Sequence, residues 1–266
     1  MVTPVGRPTE LARFAALVGA TPVPLGEAAI AVAAYLGHAD DPATELRRLD
    51  DLAEAVDGDE LAAVVHHLFT TEGLRGDQAT YYDPANSMLP AVLDRRLGIP
   101  ITLAIVVVDV SRRLAIDATV VGMPGHVLVG DGDPPQRWID TFAGGEWLDA
   151  EGAQARFAAM GGRRPPFHPR FLAVTPDDQV VARLLANLVG IYTSDGDAHR
   201  LLRVLELRSA IIGIGERERP QRAHALAAVG RLADAADLWE VEAAARSGDE
   251  ADAMTAKVEQ LRANLN

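Results

Sequence analysis

The segment GIPITLAIVVVDVSRRL, residues 98–114, decides how the fold is interpreted. Its β-branched apolar middle is compatible with a buried strand. Over its full length, however, four apolar residues recur at a 4-3-4 spacing that lies on one face of a helix: Leu103, Val107, Val110 and Leu114. Pro100 suits the first turn of a helix, and the two arginines at 112–113 complement the helix dipole in the last turn. We therefore predict a central buried helix that begins at Pro100.

The composition describes a folded protein with a sizeable core. The chain has 266 residues, of which 48% are hydrophobic and 24% are charged, and this length predicts one large domain or two modest ones. The net charge of −13 opposes binding to nucleic acid. No apolar run approaches the ~18 residues that cross a bilayer, so we expect no membrane partner and a cytoplasmic location.

The chain contains no cysteine. This excludes disulfides, thiolate metal sites, iron–sulfur ligation and a cysteine nucleophile. Histidines are scattered, and the adjacent pair at 66–67 cannot present both rings on one helical face. We therefore predict neither a metal site nor a cofactor.

The sequence predicts three segments with an α+β organisation. Residues 1–160 form a first domain, with a helical lead-in over 1–75 and a core over 76–160 that holds a small antiparallel sheet. The proline- and glycine-rich stretch at 161–176 is typical of a linker. Residues 177–266 are helical again.

The C-terminal helical segment has the spacing of a repeat. Its turn glycines, Gly196 and Gly230, lie 34 residues apart, which is the period of a tetratricopeptide-type helical hairpin. A generic helical bundle is the alternative. Stacked helix pairs present concave surfaces, so this segment predicts a protein or peptide partner.

Three motifs carry a resemblance to a known family. YYDPANS at 81–87, LDRRLGIPI at 93–101 and PGH at 124–126 together resemble the SirB1 family. The resemblance covers residues 45–155 in detail and the rest of the chain in plan. It implies a transglutaminase-like domain with a papain-like core, followed by tetratricopeptide-like helices.

In the wider transglutaminase-like superfamily, a cysteine opens a buried helix, a histidine lies on a following strand, and an acidic residue on the next strand orients it. The resemblance places His126 at the histidine and Asp140, in WIDTF, at the acid. The position of the cysteine is Pro100, which fits the helix turn but carries no nucleophile. Transglutaminase and thiol-protease chemistry therefore cannot proceed here.

Several other residues are candidates for a cleft beside this pair. Thr102 and Ser87 are possible replacement nucleophiles, although Thr102 is better explained by bonding to the backbone and Ser87 by capping the next short helix. The remaining candidates are suggested by the family resemblance or by proximity to the acid: Tyr81, Tyr82, Asp83, Asn86 and Trp138.

Two functions follow from these residues. The first is a non-catalytic transglutaminase-like protein that binds partners as a regulatory scaffold, of the kind bacterial regulators use. The second is a hydrolase or amide-handling enzyme that uses the His126–Asp140 pair with water or a hydroxyl group. An imidazole with no access from solvent favours binding, and an open cleft favours chemistry.

Overall fold

The computed structural model describes residues 8–161 and 165–265. Contacts within the chain divide it into two compact units. One unit spans Ala16–Leu184, and the other joins the described residues before position 16 to those from Leu185 onward. The units divide at two places in the chain, and each division falls within a helix: one within Pro8–Val18 and one within Asp177–Ser194. None of the described helices is long and apolar enough to cross a membrane.

Helices dominate the N-terminal part, as predicted. They are α1 (Pro8–Val18), α2 (Leu25–Leu36), α3 (Pro42–Glu54) and α4 (Leu61–His66), which continues as a π-helical turn over His67–Thr71. Local chemistry sets their ends. Gly37 closes α2 in the left-handed conformation (φ 84°), and the Asp41 side chain caps α3 by accepting from the backbone N–H of Ala43.

A short irregular region leads into the core. The two-residue strands β1 (Arg75–Gly76) and β2 (Leu97–Gly98) pair in parallel. Between them lie a 3-10 turn (Pro84–Ser87) and helix α5 (Leu89–Arg95).

The central helix is confirmed. α6 spans Pro100–Arg113, with Pro100 in its first turn, and residues 100–111 are all buried. It contacts α2, α3 and α4 as well as the sheet strands that follow it. Because other elements cover it on several sides, its sequence is apolar nearly all round, which explains its likeness to a buried strand.

A glycine allows close approach of α2 to α6. The backbone N–H of Gly26 donates to the buried Asp109 carboxylate at 2.9 Å. A Cβ atom at position 26 would lie 2.5 Å from Asp109 Cγ, so a larger residue would separate the two helices.

The sheet has four antiparallel strands in sequential order. They are β3 (Ala118–Val121), β4 (Leu128–Asp131), β5 (Trp138–Asp140) and β6 (Glu146–Leu148). Helix α7 (Ala150–Ala159) follows, and its Phe157 packs with Val121, Leu128 and Leu148. A 3-10 turn at Pro169–Leu172 precedes the C-terminal helices. The α+β class predicted from the sequence is confirmed.

Five helices complete the chain: α8 (Asp177–Ser194), α9 (Ala198–Ser209), α10 (Arg219–Ala228), α11 (Leu232–Ala244) and α12 (Asp249–Ala263). The second of the two unit boundaries lies within α8. Gly196 and Gly230 occupy the predicted turns with φ of 69° and 81°. Buried Glu242 joins α10 to α11 by accepting from Arg219 at 2.8 Å. The tetratricopeptide-type assignment of these helices stays a prediction.

Candidate functional site

The structure brings His126 and Asp140 together. His126 Nε2 lies 2.9 Å from Asp140 Oδ2. Asp140 ends β5, and His126 lies in the loop just before β4 rather than on the strand itself. Because β4 and β5 are paired neighbours, the loop and the strand end lie at adjacent positions of the sheet.

Every face of the Asp140 carboxylate has a donor. Oδ1 accepts from the backbone N–H groups of Phe142 at 3.0 Å and Ala143 at 3.1 Å. Oδ2 also lies 3.2 Å from Arg156 Nε, and the side chain is 1% exposed. Burial alone would raise the pKa of Asp140, but the hydrogen bond and charge of His126, the Ala143 amide and Arg156 outweigh burial and lower it. Asp140 is therefore held ionised.

The imidazole of His126 is nearly buried. The residue is 9% exposed. Its Nδ1 atom has no hydrogen-bond partner within the described residues. The ring of Phe142 meets the imidazole edge-on, with centroids 6.5 Å apart. Since Nε2 faces Asp140, Nδ1 is the nitrogen left for a further contact.

The start of α6 is tied to the end of β5. Thr141, next to Asp140, lies with Oγ1 3.4 Å from the carbonyl oxygen of Pro100. Pro100 itself is buried. The position that the resemblance assigns to the nucleophile therefore lies beside the strand that carries the acid, and it holds a side chain with no reactive atom.

Neither hydroxyl candidate is placed as a nucleophile. Thr102 is fully buried, and its Oγ1 accepts from Ile99 N at 3.1 Å and lies 2.9 Å from the carbonyl oxygen of Asn86. Ser87 is also fully buried. The prediction that Ser87 caps the next helix is wrong. Met88 takes that position without a side-chain bond, because Ser87 is the last residue of the 3-10 turn and its side chain points into the protein interior.

The Tyr-Tyr-Asp-Pro segment forms a hydrogen-bonded turn. Asp83 accepts from the backbone N–H of Ala85 at 2.9 Å. Asn86 is fully buried and donates from Nδ2 to Asp77 at 3.1 Å. Tyr81 is half-buried, whereas Tyr82 is 78% exposed. Asp83 and Asn86 therefore shape the backbone, and the two tyrosines supply the surface.

Trp138 lies in the hydrophobic core. It is 6% exposed and belongs to the cluster that contains Met123 and Leu148. Its indole nitrogen has no partner among the described residues. The structure thus places Trp138 in the core rather than at an exposed surface.

Sequence reasoning missed three polar residues around this region. Asp77 accepts from Thr80 and Asn86, and these hydrogen bonds together with Arg95 lower its pKa to about 2. Arg156 contacts Asp140, and Arg183 donates to the carbonyl oxygens of Met123 and His126. Arg183 is 57 residues from His126 in sequence, so no local pattern could have revealed this contact.

Residues 8–161 and 165–265 contain no group of three or more His, Cys, Asp or Glu residues arranged to hold a metal ion. His126 and Asp140 form a pair without a third ligand. The arrangement can orient an imidazole and keep one of its nitrogens available, and it cannot supply a thiolate.

Comparisons with known proteins show similarity over much of the chain. The family model described as transglutaminase-like superfamily matches residues 33–186. A UPF0162 protein from Xylella fastidiosa (strain Temecula1) is 39% identical over 138 residues, which is 50% of this chain and 49% of that protein. A UPF0162 protein from Pseudomonas aeruginosa is 28% identical over 198 residues, 70% of this chain and 73% of that protein.

A third similarity is shorter. F-box only protein 21 from Mus musculus is 32% identical over 69 residues, 26% of this chain and 11% of that protein. The chain spans about half the length of the Xylella relatives that it matches, 49% and 52%. No solved structure was found to match it. The family match covers more than half of the chain and includes α6, the sheet and the His126–Asp140 pair, so this chain belongs to the transglutaminase-like superfamily.

Proposed function

We propose that this protein is a non-catalytic member of the superfamily that binds a protein or peptide partner and acts as a regulatory scaffold. The observation that carries the proposal is the combination of a retained His126–Asp140 pair with Pro100 at the position of the nucleophile. A carboxylate with four donors around it is an orienting group, and it has nothing to activate here.

The two candidate hydroxyl nucleophiles, Thr102 and Ser87, also support a non-catalytic function. Thr102 Oγ1 is engaged with the backbone of Ile99 and Asn86, and Ser87 is fully buried. A nucleophile needs to reach a substrate atom, which neither side chain can do without a rearrangement of α6 or the preceding turn.

The binding role draws on the helices and on the exposed aromatic surface. Helical hairpins such as α10–α11 offer surfaces for extended or helical segments, and Tyr82 presents a large ring to solvent. The proposal includes tetratricopeptide-type repeats over 177–266 after a linker at 161–176, membership of the SirB1 family, and a cytoplasmic location. YYDPANS and LDRRLGIPI are the motifs that support the family assignment.

A hydrolase that activates water is the second candidate. One observation favours it: Nδ1 of His126 has no partner among the described residues, and the side chain keeps 10% of its exposure. A general base needs such a nitrogen within hydrogen-bond reach of water.

Turnover assays separate the two candidates. The purified protein and its His126→Gln variant are incubated with p-nitrophenyl acetate and with a glutamine peptide plus an amine donor. We expect equal rates for both proteins, at the level of free imidazole or below. A rate that the wild type shows and His126→Gln loses would establish the hydrolase and reject the non-catalytic function.

Binding is tested on the full chain. Crosslinking in cells identifies a partner, which is then purified and titrated calorimetrically against the wild type and His126→Gln. We expect saturable binding that leaves the partner's intact mass unchanged. A partner whose mass changes on incubation with the wild type alone would contradict the scaffold role.

A further inference from the structure

Arg183 is a half-buried cation with no counter-ion among the residues that the structure describes. Its guanidinium uses one nitrogen, Nη2, to donate to the carbonyl oxygens of Met123 at 2.7 Å and His126 at 2.8 Å. Nε and Nη1 have no hydrogen-bond partner within the described residues, and no described carboxylate pairs with Arg183. Most of the other arginines of the chain form ion pairs, for example Arg112, Arg113 and Arg156.

The protein holds this guanidinium close to the backbone of the histidine loop. A Cβ atom at Gly122 would lie 2.8 Å from Arg183 Nη1, so the glycine leaves room for the cation. Gly122 is in turn fixed by donating its N–H to Thr175 Oγ1 at 2.8 Å. A charge taken out of water costs free energy unless a partner compensates it. Two carbonyl oxygens compensate one edge of Arg183, and its other edge remains available.

A second donor lies near the guanidinium. Burial, the largest effect, raises the pKa of the Tyr81 phenol, and the neighbouring Arg183 charge acts against it. Burial likewise lowers the pKa of Arg183, and Tyr81 acts against that shift. Geometry links the two residues through the histidine loop: the Phe142 ring meets Tyr81 at 5.8 Å and His126 at 6.5 Å, and Arg183 donates to the His126 carbonyl oxygen. Nδ1 of His126 is not such a donor, because the imidazole directs Nε2 at the Asp140 carboxylate and Nδ1 of the neutral ring is an acceptor.

Aromatic rings flank these polar groups. The Tyr81 ring meets Phe142 edge-on at 5.8 Å and Tyr82 edge-on at 5.2 Å. Phe142 also meets the His126 ring. Aromatic surface beside a guanidinium with free donors is the combination that binds a carboxylate attached to an apolar body.

We propose that Arg183 and Tyr81 form a binding site for a carboxylate beside the loop that carries His126, with Tyr82 and Phe142 contacting the apolar part of the ligand. All five residues belong to the unit Ala16–Leu184. The ligand is a small carboxylic acid or the C-terminal carboxylate of a peptide. The inference rests on the proposed function, because it assigns a ligand class to the region around the non-catalytic His126–Asp140 pair.

The test uses the full chain and three probes: acetate, the dipeptide acetyl-Gly-Phe with a free carboxylate, and the same dipeptide as its C-terminal amide. Binding is measured by NMR titration of the side-chain Nε–H of Arg183 and the imidazole of His126. The variants are Arg183→Gln and Tyr81→Phe. Arg137→Gln is the matched control, since Arg137 is 65% exposed and pairs with Asp131.

We expect the free carboxylate dipeptide to bind, the amide to bind at least tenfold more weakly, and Arg183→Gln to weaken carboxylate binding at least tenfold. Tyr81→Phe leaves the loop contacts of Arg183 in place and is expected to weaken binding about threefold. Arg137→Gln is expected to bind as the wild type does. Equal affinity for the carboxylate and the amide, or unchanged carboxylate affinity in Arg183→Gln, would overturn the site.

The probes also identify the source of the carboxylate. Acetate binding as tightly as the dipeptide supports a small acid, and tighter dipeptide binding supports a peptide terminus; either result supports the site. Mass spectrometry of the dipeptides after incubation tests the non-catalytic function separately from the carboxylate site. Cleavage of a probe would reject the non-catalytic function but would not contradict the carboxylate site. Equal binding of the carboxylate and the amide without cleavage would reject the site alone.

Discussion

Asp140 shows how a single residue fixes the geometry of the candidate site. It receives His126 and Arg156 on one oxygen and two backbone amides on the other. Hydrogen bonds to an ionised acceptor are stronger than neutral ones, and leaving a buried partner unpaired is costly. Asp140 therefore contributes to stability whether or not the site performs chemistry.

Replacing Asp140 with asparagine removes the charge and keeps the shape. We expect Asp140→Asn to lower the free energy of unfolding by about 2–4 kcal/mol, because a buried charged group loses its partner. Urea denaturation measures the change. The matched control is Asp131→Asn, whose aspartate pairs with the 65% exposed Arg137 and is expected to cost less than ~1 kcal/mol. Equal losses in the two variants would contradict this assignment.

At the residue scale, some residues of the candidate site could be predicted from the sequence. The resemblance identified His126, Asp140 and Pro100, since each stands in a recognisable motif. Asp77, Arg156 and Arg183 were missed because arginine and aspartate are common surface residues, and their contacts depend on how distant segments pack. Ser87 was misassigned because a serine before a helix resembles a cap, and burial cannot be read from that local pattern.

At the scale of elements, α6 organises the first unit. Its largely apolar surface is a consequence of contacts with α2, α3, α4 and the sheet. Residue propensity alone does not exclude a strand for this segment, because Ile and Val favour strands. Three features predict a helix instead: the 4-3-4 spacing, the proline in the first turn and the arginines in the last turn. These signals depend on helix geometry, so tertiary contacts did not overturn them.

Leu103 tests how tightly α6 is packed. It is fully buried, so Leu103→Ala is expected to lower the free energy of unfolding by about 2.5–5 kcal/mol through lost burial and the cavity left behind. The matched control is Leu265→Ala, at a leucine that is 52% exposed, with an expected loss below ~0.5 kcal/mol. Chemical denaturation of both variants measures the difference. A loss at Leu103 similar to that at Leu265 would mean that α6 is not the core helix.

At the scale of the whole molecule, the chain is acidic, and several of its carboxyl groups are buried with shifted pKa values. Hydrogen bonds from Thr80 and Asn86 and the charge of Arg95 lower the pKa of Asp77 to about 2. For Glu242, burial alone would raise the pKa, but Arg246 and Arg219 outweigh it and lower it. Asp140 is lowered as well. Asp109 differs, because burial raises its pKa despite Arg113.

These shifts predict acid sensitivity. A carboxyl whose folded pKa is lowered adds stability above its unfolded pKa of ~3.9–4.3 and loses it as the pH falls through the folded value. Asp109 acts in the opposite direction, since its stabilising contribution is present below the unfolded pKa and is lost as the pH rises through the raised value. Among the buried carboxyls, three have a lowered pKa against one raised, so we expect the free energy of unfolding to fall as the pH drops from about 5 towards 2.

Urea titrations at pH 7, 5 and 3 measure this dependence. Asp77→Asn is expected to show a shallower loss between pH 5 and pH 3 than the wild type, because one of the responsible groups has been removed. Stability that rises as the pH falls from 5 to 3 would show that Asp109 outweighs the other three.

The organisation of the whole chain was predicted in outline. Proline, glycine and apolar periodicity located the mixed α/β part and the C-terminal helices, since these signals are local. Which helices join which compact unit was not visible, because that depends on contacts between distant segments: residues before position 16 join those from 185 onward.

The central claim is that Pro100 occupies the place of a nucleophile beside a retained imidazole–carboxylate pair. Pro100→Cys tests it most directly, and because the chain has no cysteine, the introduced thiol is the single site of alkylation. The matched control is Pro42→Cys, at the first turn of α3. The measurement is the rate of iodoacetamide alkylation of each variant at pH 6, repeated for Pro100→Cys combined with His126→Gln.

A helix N-terminus with a neighbouring imidazole stabilises a thiolate. We therefore predict that the thiol at position 100 reacts at least tenfold faster than the thiol at position 42, and that His126→Gln removes the excess. Equal rates at the two positions, or a fast rate at position 100 that persists without His126, would contradict the account.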